Sequence, residues 1–325
     1  SKTSDFLNLN GHNLLFVNQG IKDGVPSFKE LSQMYALDIS AFSTQAVFFD
    51  YDLDGDLDLF LLNHSVYPNR TYGNGDIRKS IDAQSGDRLF ENRNGTYIDV
   101  SAESNIFQGK IGYGLGLSVG DLNNDTFPDL YIGNDFFEND YLYINQKNGS
   151  FKDIISFQSD KIGHTTHYSM GNAISDLNND GLLDILSLDM LPEDLITYRT
   201  SGQEYPYQIY NQYLNNGYSP QYMQNTLQLN MGNEAFGDIA FLSGIAATEW
   251  SWSPLIADFD NDGNKDLYIT NGILGATNDM DFINFISNDK IQKRLDEGVK
   301  ETDMAFIKDI PQKKNKQLFL SQQWR

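Results

Sequence analysis

Acidic side chains are densest in VFFDYDLDGDLDLFLLN, residues 47–63, where two apolar runs flank a polar centre. Asp50, Asp52, Asp54 and Asp58 surround Gly55 there. Carboxylates this close repel one another unless a cation sits among them. With oxygen donors and no His or Cys nearby, Ca²⁺ is the expected cation. The device recurs as Asp121, Asn123, Asp125 and Asp129, as Asp176, Asn178, Asp180 and Asp184, and as Asp258, Asp260, Asp262 and Asp266. A tight turn would bring loop positions 1, 3 and 5 inward, and Gly at position 6 permits the bend. A backbone carbonyl at position 7 adds an oxygen, from Asp56, Phe127, Leu182 or Asn264, and the Asp at position 9 closes the cage. Up to four Ca²⁺ sites are expected, the second altered by Thr126 in place of Gly. An EF-hand needs a Glu at position 12 and flanking helices. Position 12 here is Leu61, Ile132, Ser187 or Ile269, in strand-like runs, which excludes it.

Four loops in one phase need a repeated scaffold. Their starts lie 71, 55 and 82 residues apart. Phe48, Val119, Ile174 and Ile256 precede them in phase, and Asn63, Asn134, Asp189 and Asn271 follow thirteen residues after each first Asp. Between the loops, runs such as Leu89–Asn92 to Tyr97–Asp99 and Leu142–Asn145 to Phe151–Asp153 read as hairpins with Gly/Asn turns. Each unit therefore reads strand, loop, strand, hairpin. The expected fold class is all-β, a β-propeller of four-stranded blades with loop insertions, one of them a short helix. The whole chain, 1–325, reads as one such region, with blades near 1–37 (partial), 38–107, 108–161, 162–247 and 248–325. Both ends fall inside a unit, so a longer ring is expected.

The composition supports a globular, acidic protein. Of its 325 residues, 40% are hydrophobic, and 45 acids against 23 bases give a net charge of −22. That balance argues against nucleic acid as a partner. Cysteine is absent, so disulfides and thiolate metal sites are excluded. No run is long and apolar enough to span a membrane. Ser1-Lys2-Thr3 opens without a signal peptide, so the protein is either cytosolic or has lost its signal.

Three insertions interrupt the units. His64–Gly86 reads as a surface loop. Pro192–Gln224 carries Tyr205, Tyr207, Tyr210, Tyr213, Tyr218 and Tyr222 among Asn and Gln, chemistry suited to adaptable polar contacts. Asp279–Lys314 has helical periodicity around Phe282, Ile283, Ile286, Ile291 and Leu295. Eight residues before each first Asp stands an aromatic, Phe42, Tyr113, Tyr168 or Trp250, with Trp252 beside the last. On the face opposite the loops these rings could bind a sugar or peptide; packing between repeats is the plainer reading. His164 and His167 lack the pattern of a zinc protease helix and read as structural.

The loops and the strands after them, DYDLDGDLDLFLLN, DLNNDTFPDLYIGND and DFDNDGNKDLYITNG, resemble FG-GAP or VCBS repeats, the calcium-binding blades of integrin α-type propellers. The long insertions are similar to those of secreted or surface bacterial (Bacteroidota) VCBS proteins akin to the ASPIC/UnbV and cartilage acidic protein group, although no ASPIC/UnbV segment is present. The resemblance implies a ring of usually seven blades, structural calcium at the blade edge, and an extracellular, cell-surface or periplasmic setting. It implies no single activity. The first functional expectation is a non-enzymatic, calcium-stabilised binding or scaffold module recognising a glycan, peptide or protein. The alternative is a polysaccharide-acting lyase or hydrolase using the central face. A third reading is assembly with an outer-membrane transporter or surface complex.

Overall fold

The computed structural model describes residues 11–67, 73–201 and 206–272, together with the backbone of 318–320. Its strands in chain order are β1 (Phe16–Lys22), β2 (Val25–Glu30), β3 (Ser43–Phe49), β4 (Asp58–Asn63), β5 (Arg88–Arg93), β6 (Thr96–Asp99), β7 (Gly114–Gly120), β8 (Asp129–Asn134), β9 (Tyr141–Asn145) and β10 (Phe151–Asp153). They continue with β11 (Thr165–Thr166), β12 (Asn172–Ser175), β13 (Asp184–Ser187), β14 (Gln221–Tyr222), β15 (Thr226–Asn230), β16 (Phe236–Asp238), β17 (Ser251–Ala257), β18 (Asp266–Asn271) and β19 (Leu318–Leu320). The architecture is all-β, in several small sheets.

Three sheets share one plan: four antiparallel strands in chain order, β3–β6, β7–β10, and β12-β13-β15-β16. In a fourth, β17-β18-β19, β19 takes the third place. The β1–β2 hairpin stands as a two-stranded sheet, and β11 pairs in parallel with β14.

The sheets follow one another through their first strands: β3 packs beside β7, β7 beside β12, and β12 beside β17. Side chains bridge these joints. Thr44 Oγ1 donates to Gly114 O at 2.8 Å, and Ser118 Oγ to Asn172 Oδ1 at 2.6 Å. Gly116 allows the close approach, because a Cβ there would lie 2.6 Å from Met170 O.

The second strands of these three sheets, β4, β8 and β13, are buried on both faces. In β4, Phe60 and Leu62 turn toward β8 and β9 and pack with Leu130, Ile132, Tyr141 and Tyr143. Leu59 and Leu61 turn the other way, onto Leu37, Phe90 and Tyr97. This period of two within an unbroken apolar run is what a strand buried on both faces requires. Equivalent cores join Tyr131 and Leu142 to Ile185 and Phe236, and Leu186 and Leu227 to Leu267 and Ile269.

Two expectations about the insertions change. His64–Gly86 is not simply a surface loop. It folds into a 3₁₀ turn at Gly75–Lys79 and buries Arg78, whose Nε donates to the buried Glu138 carboxylate at 2.7 Å. Charged residues made the segment look solvated, but its arginine has a partner 60 residues away. After the short helix α1 (Ile154–Phe157), Pro192–Gln224 contains two more, α2 (Leu195–Thr200) and α3 (Tyr207–Asn215). Asp194 caps α2, accepting from Ile196 N and Thr197 N. The helix expected within Asp279–Lys314 lies outside the described residues. Among the described residues no helix is long and apolar enough to cross a membrane.

Candidate functional site

The four acidic loops join first strand to second at one end of each sheet, and they fold identically. In the first, Asp50 Oδ1 accepts from Asp54 N at 3.1 Å and its Oδ2 from Gly55 N at 3.1 Å. Asp121, Asp176 and Asp258 accept the same two bonds at 2.8–3.1 Å. The position-5 carboxylate accepts from the position-7 amide in every loop, so Asp54, Asp125, Asp180 and Asp262 are all turned inward. The position-9 carboxylate accepts from the position-2 amide, holding the loop against the next strand.

Two left-handed residues make the turn. Position 6 has positive φ in all four loops: Gly55, Gly181, Gly263 and Thr126, the last at 77°. Position 4 is also left-handed, at Leu53, Asn124, Asn179 and Asn261, with φ of 58–61°. That second requirement was missed in the sequence; the repeated Asn at position 4 was its signal, since Asn tolerates this region. These asparagines also tie loops together, Asn124 Nδ2 donating to Gly181 O at 3.2 Å and Asn179 Nδ2 to Gly263 O at 3.1 Å.

The loops differ in electrostatics. Asp50, Asp52 and Asp58 each offer an oxygen within 4.8 Å of the others, as do Asp258, Asp260 and Asp262. In the second and third loops position 3 is Asn, and its amide donates to the position-5 carboxylate: Asn123 to Asp125 at 3.0 Å, Asn178 to Asp180 at 2.9 Å. The Lys147 ammonium lies a further 3.2 Å from Asp125 Oδ2. Burial pushes Asp58 up to about 6 and Asp129 up to about 7, against the pull of two backbone N–H donors each, and raises Asp184 likewise. Burial, with Asp54 alongside, also raises Asp52. The donor set is oxygen throughout, and Asp56 Oδ1 is shielded without a hydrogen-bond partner. Clustered carboxylate oxygens fit a hard divalent cation most strongly in the first and fourth loops, and the first adds raised acids and an orphaned oxygen.

The opposite sheet end carries a second repeated device. The last residue of β4 donates its amide to an acid before β5: Asn63 N to Asp87 Oδ1 at 2.9 Å. The equivalents are Asn134 N to Asp140 Oδ1 and Asp189 N to Asn225 Oδ1, both at 2.8 Å. All six residues are buried or nearly so. Burial raises Asp87 to about 8, Asp140 to about 6 and Asp189 to about 7.

Two insertions, those following β4 and β13, leave from this end. The two described ones interlock: Gly75 N donates to Asn216 O at 2.8 Å, and the Arg78 guanidinium lies 5.4 Å from the Tyr218 ring centre. Beneath them Gln221 Nε2 donates to Glu138 O at 3.0 Å, and Gln221 Oε1 faces His167 Nδ1 at 2.9 Å. The tyrosine-rich insertion encloses one side of a cavity of about 710 Å³ reaching His167.

The aromatics expected on this face divide. Tyr113 is buried in ring-to-ring packing with Phe136 and Phe137, and Tyr168 is buried beside Met170 and Met190. Phe42 and Trp250 are half-buried, and Trp252 is exposed. None of the five lines the cavity, whereas Tyr207, Tyr210 and Tyr222 do.

Residues 121–187, from the second loop to the end of β13, match the FG-GAP-like repeat model. No curated protein matches the chain. Among solved structures the chain is similar to an Agrocybe aegerita lectin that recognises non-reducing terminal N-acetylglucosamine, with 13% identity, 82% of this chain covered and a TM-score of 0.37. It is also similar to the V. cholerae biofilm matrix protein Bap1, with 16% identity, 71% covered and a TM-score of 0.29. The chain spans 58% of the first of these chains and 35% of the second.

Proposed function

We propose that this chain is part of a Ca²⁺-stabilised β-propeller of FG-GAP/VCBS type acting as a non-enzymatic binding or scaffold module at a cell surface. The four loops are its metal sites, held by the residues at positions 1, 3, 5, 7 and 9, and the face carrying the insertions meets the partner. The observation that carries this reading is one oxygen-only loop geometry repeated four times at the sheet end opposite the insertions. Bound Ca²⁺ would supply the positive charge that the clustered carboxylates lack. The chain's own contribution is to preorder each loop through backbone donors, so little conformational freedom remains to be lost on binding.

The test is a melting experiment with Ca²⁺ and with excess chelator. Ligand bound only by the native state adds its binding energy to folding, about 2.7 kcal/mol at a hundredfold excess over Kd. Chelation should therefore lower Tm, and re-addition of Ca²⁺ should restore it. An unchanged Tm, together with no bound calcium by elemental analysis, would overturn the proposal.

A further inference from the structure

We infer that the cavity beneath the tyrosine-rich insertion is a binding site for a neutral oligosaccharide; this deepens the binding-module reading and rests on it. The cavity, about 710 Å³, falls in the range of compact ligand sites. Three observations select the ligand's chemistry.

First, the walls are aromatic and partly open. Tyr207 is 74% exposed and Tyr222 is 47% exposed. Tyr222 is stacked on Tyr210 at 5.7 Å and 25°, which fixes its plane. An exposed tyrosine ring held on a rigid element presents a flat apolar face with a polar tip at small entropic cost. A pyranose ring has the complementary form, an apolar C–H face bordered by hydroxyls.

Second, besides the tyrosine hydroxyls, the polar groups at the walls are Gln221, Gln224, Ser219 and His167, plus one acid, Glu193. Gln224 is oriented by its bond to Asp238 Oδ2 at 2.9 Å, and Gln221 by its bonds to Glu138 O and His167. Amides at fixed angles, with the Glu193 carboxylate at the same wall, suit vicinal hydroxyls. Third, no Lys or Arg is among the described lining residues, and the chain's net charge is −22. Phosphorylated, sulfated and uronic ligands are disfavoured by the protein's field.

The supporting shell is built rather than incidental. The parallel β11–β14 pair sets Gln221 and Tyr222 beside Thr165 and Thr166, and Ser219 N donates to Asn139 Oδ1 at 2.8 Å. The site therefore stands on the β11–β14 pair and the β8–β9 connection, not on a free loop.

The experiment is calorimetric titration of the Ca²⁺-loaded chain with cellotriose, maltotriose, mannotriose and chitotriose, with trigalacturonate and a mixed tripeptide library as controls. Tyr207→Ala, Tyr222→Ala and Tyr207→Phe are compared, each checked for an unchanged melting profile. At least one neutral trisaccharide should bind, each alanine variant should weaken it by about tenfold, and Tyr207→Phe should stay within about threefold. Absence of binding by every neutral sugar, or preference for trigalacturonate or peptide, would overturn the inference. Sugar binding that survives both alanine variants would overturn this site while leaving the binding-module reading standing. Sugar binding lost in those variants but accompanied by turnover in the wild type would support the site and overturn the non-enzymatic reading.

Discussion

Asp189 and Asn225 make the hydrogen bond of Asn63 and Asp87 with the residue types exchanged. Asp189 N donates to Asn225 Oδ1 at 2.8 Å, where Asn63 N donates to Asp87 Oδ1 at 2.9 Å. Asn134 and Asp140 keep the first arrangement. Each pair thus holds one acid and one amide. The physical reason is burial. Asp189 and Asn225 are both fully enclosed, and two carboxylates sharing such a site cannot both ionise. One amide supplies the donors that a second acid would lack, as Asn225 Nδ2 does toward Ile245 O and Thr248 Oγ1.

Asn225→Asp should therefore destabilise the protein by about 3 kcal/mol at neutral pH, as an uncompensated buried charge does. The loss should shrink at pH 5, where protonation relieves the repulsion. Adding Asp189→Asn to that variant recreates the Asn63–Asp87 composition and should recover part of the loss. Urea unfolding of the two single variants and the double closes the cycle. Strict additivity would show that the two positions do not act as one unit.

The second acidic loop carries a β-branched residue where its siblings carry glycine. Thr126 stands at φ 77°, a region costing such a residue about 1–3 kcal/mol. Thr126→Gly should stabilise the protein by about 1 kcal/mol once the greater freedom of the unfolded glycine is subtracted. The converse, Gly55→Thr, should destabilise by a similar amount through the backbone alone, because an added Cβ at Gly55 meets nothing within 4 Å. Equal stability of Thr126→Gly and wild type in urea would mean that the strain is absorbed elsewhere in the loop.

The four loops and the strand pairs around them were legible because their signals are local. Carboxylates alternate, a glycine sits at position 6, and apolar runs follow with a period of two. The ties between sheets were not legible. Asn145 Nδ2 donates to Tyr51 O at 2.8 Å and Asn230 Nδ2 to Leu122 O at 2.7 Å, across 94 and 108 residues. A hairpin asparagine suggests only a turn until its distant partner is known. Arg78 misled for the same reason, whereas Tyr113 follows the plainer reading of an aromatic used in packing. A charged residue in a polar stretch reads as solvated, yet Arg78 is buried against Glu138 of the next repeat. The insertions carry no repeat against which to align them, so neither the 3₁₀ turn, α2 and α3, nor the cavity could be placed from sequence.

If the loops bind calcium, their differing charges should rank them. Asp50→Ala, Asp121→Ala and Asp258→Ala each remove the same two backbone bonds, so differences among them report electrostatics. Each should lower bound Ca²⁺ by about one per chain if its loop is occupied. Asp50→Ala and Asp258→Ala should cost more calcium-dependent stability than Asp121→Ala. In the second loop the Lys147 ammonium, 3.2 Å from Asp125, already offsets part of the charge. Elemental analysis and melting with and without chelator read both quantities. Identical calcium-dependent losses in the three variants would remove the ranking.

His167 sets a pH dependence of its own. Burial pushes its imidazole down to about 4, with Gln221 Oε1 at 2.9 Å from Nδ1 pulling weakly the other way. Between pH 6.5 and 4 the unfolded chain binds a proton that the native imidazole refuses. Its contribution is therefore complete above pH 6.5 and is lost as pH falls toward 4, by up to about 3 kcal/mol. Asp189, whose Oδ2 accepts from His167 N, acts in the opposite sense. Its pKa is raised to about 7, so the native state holds a proton that the unfolded chain releases, and stability declines as pH rises from about 4 to 7. The two trends overlap, so the wild-type curve alone hides both. The difference between wild type and His167→Gln isolates the first, because glutamine keeps a polar group toward Gln221 and does not titrate. That difference should shift by about 2–3 kcal/mol in favour of the variant between pH 7 and pH 4.5. A difference that stays constant across this range would mean that His167 accepts its proton in the folded protein.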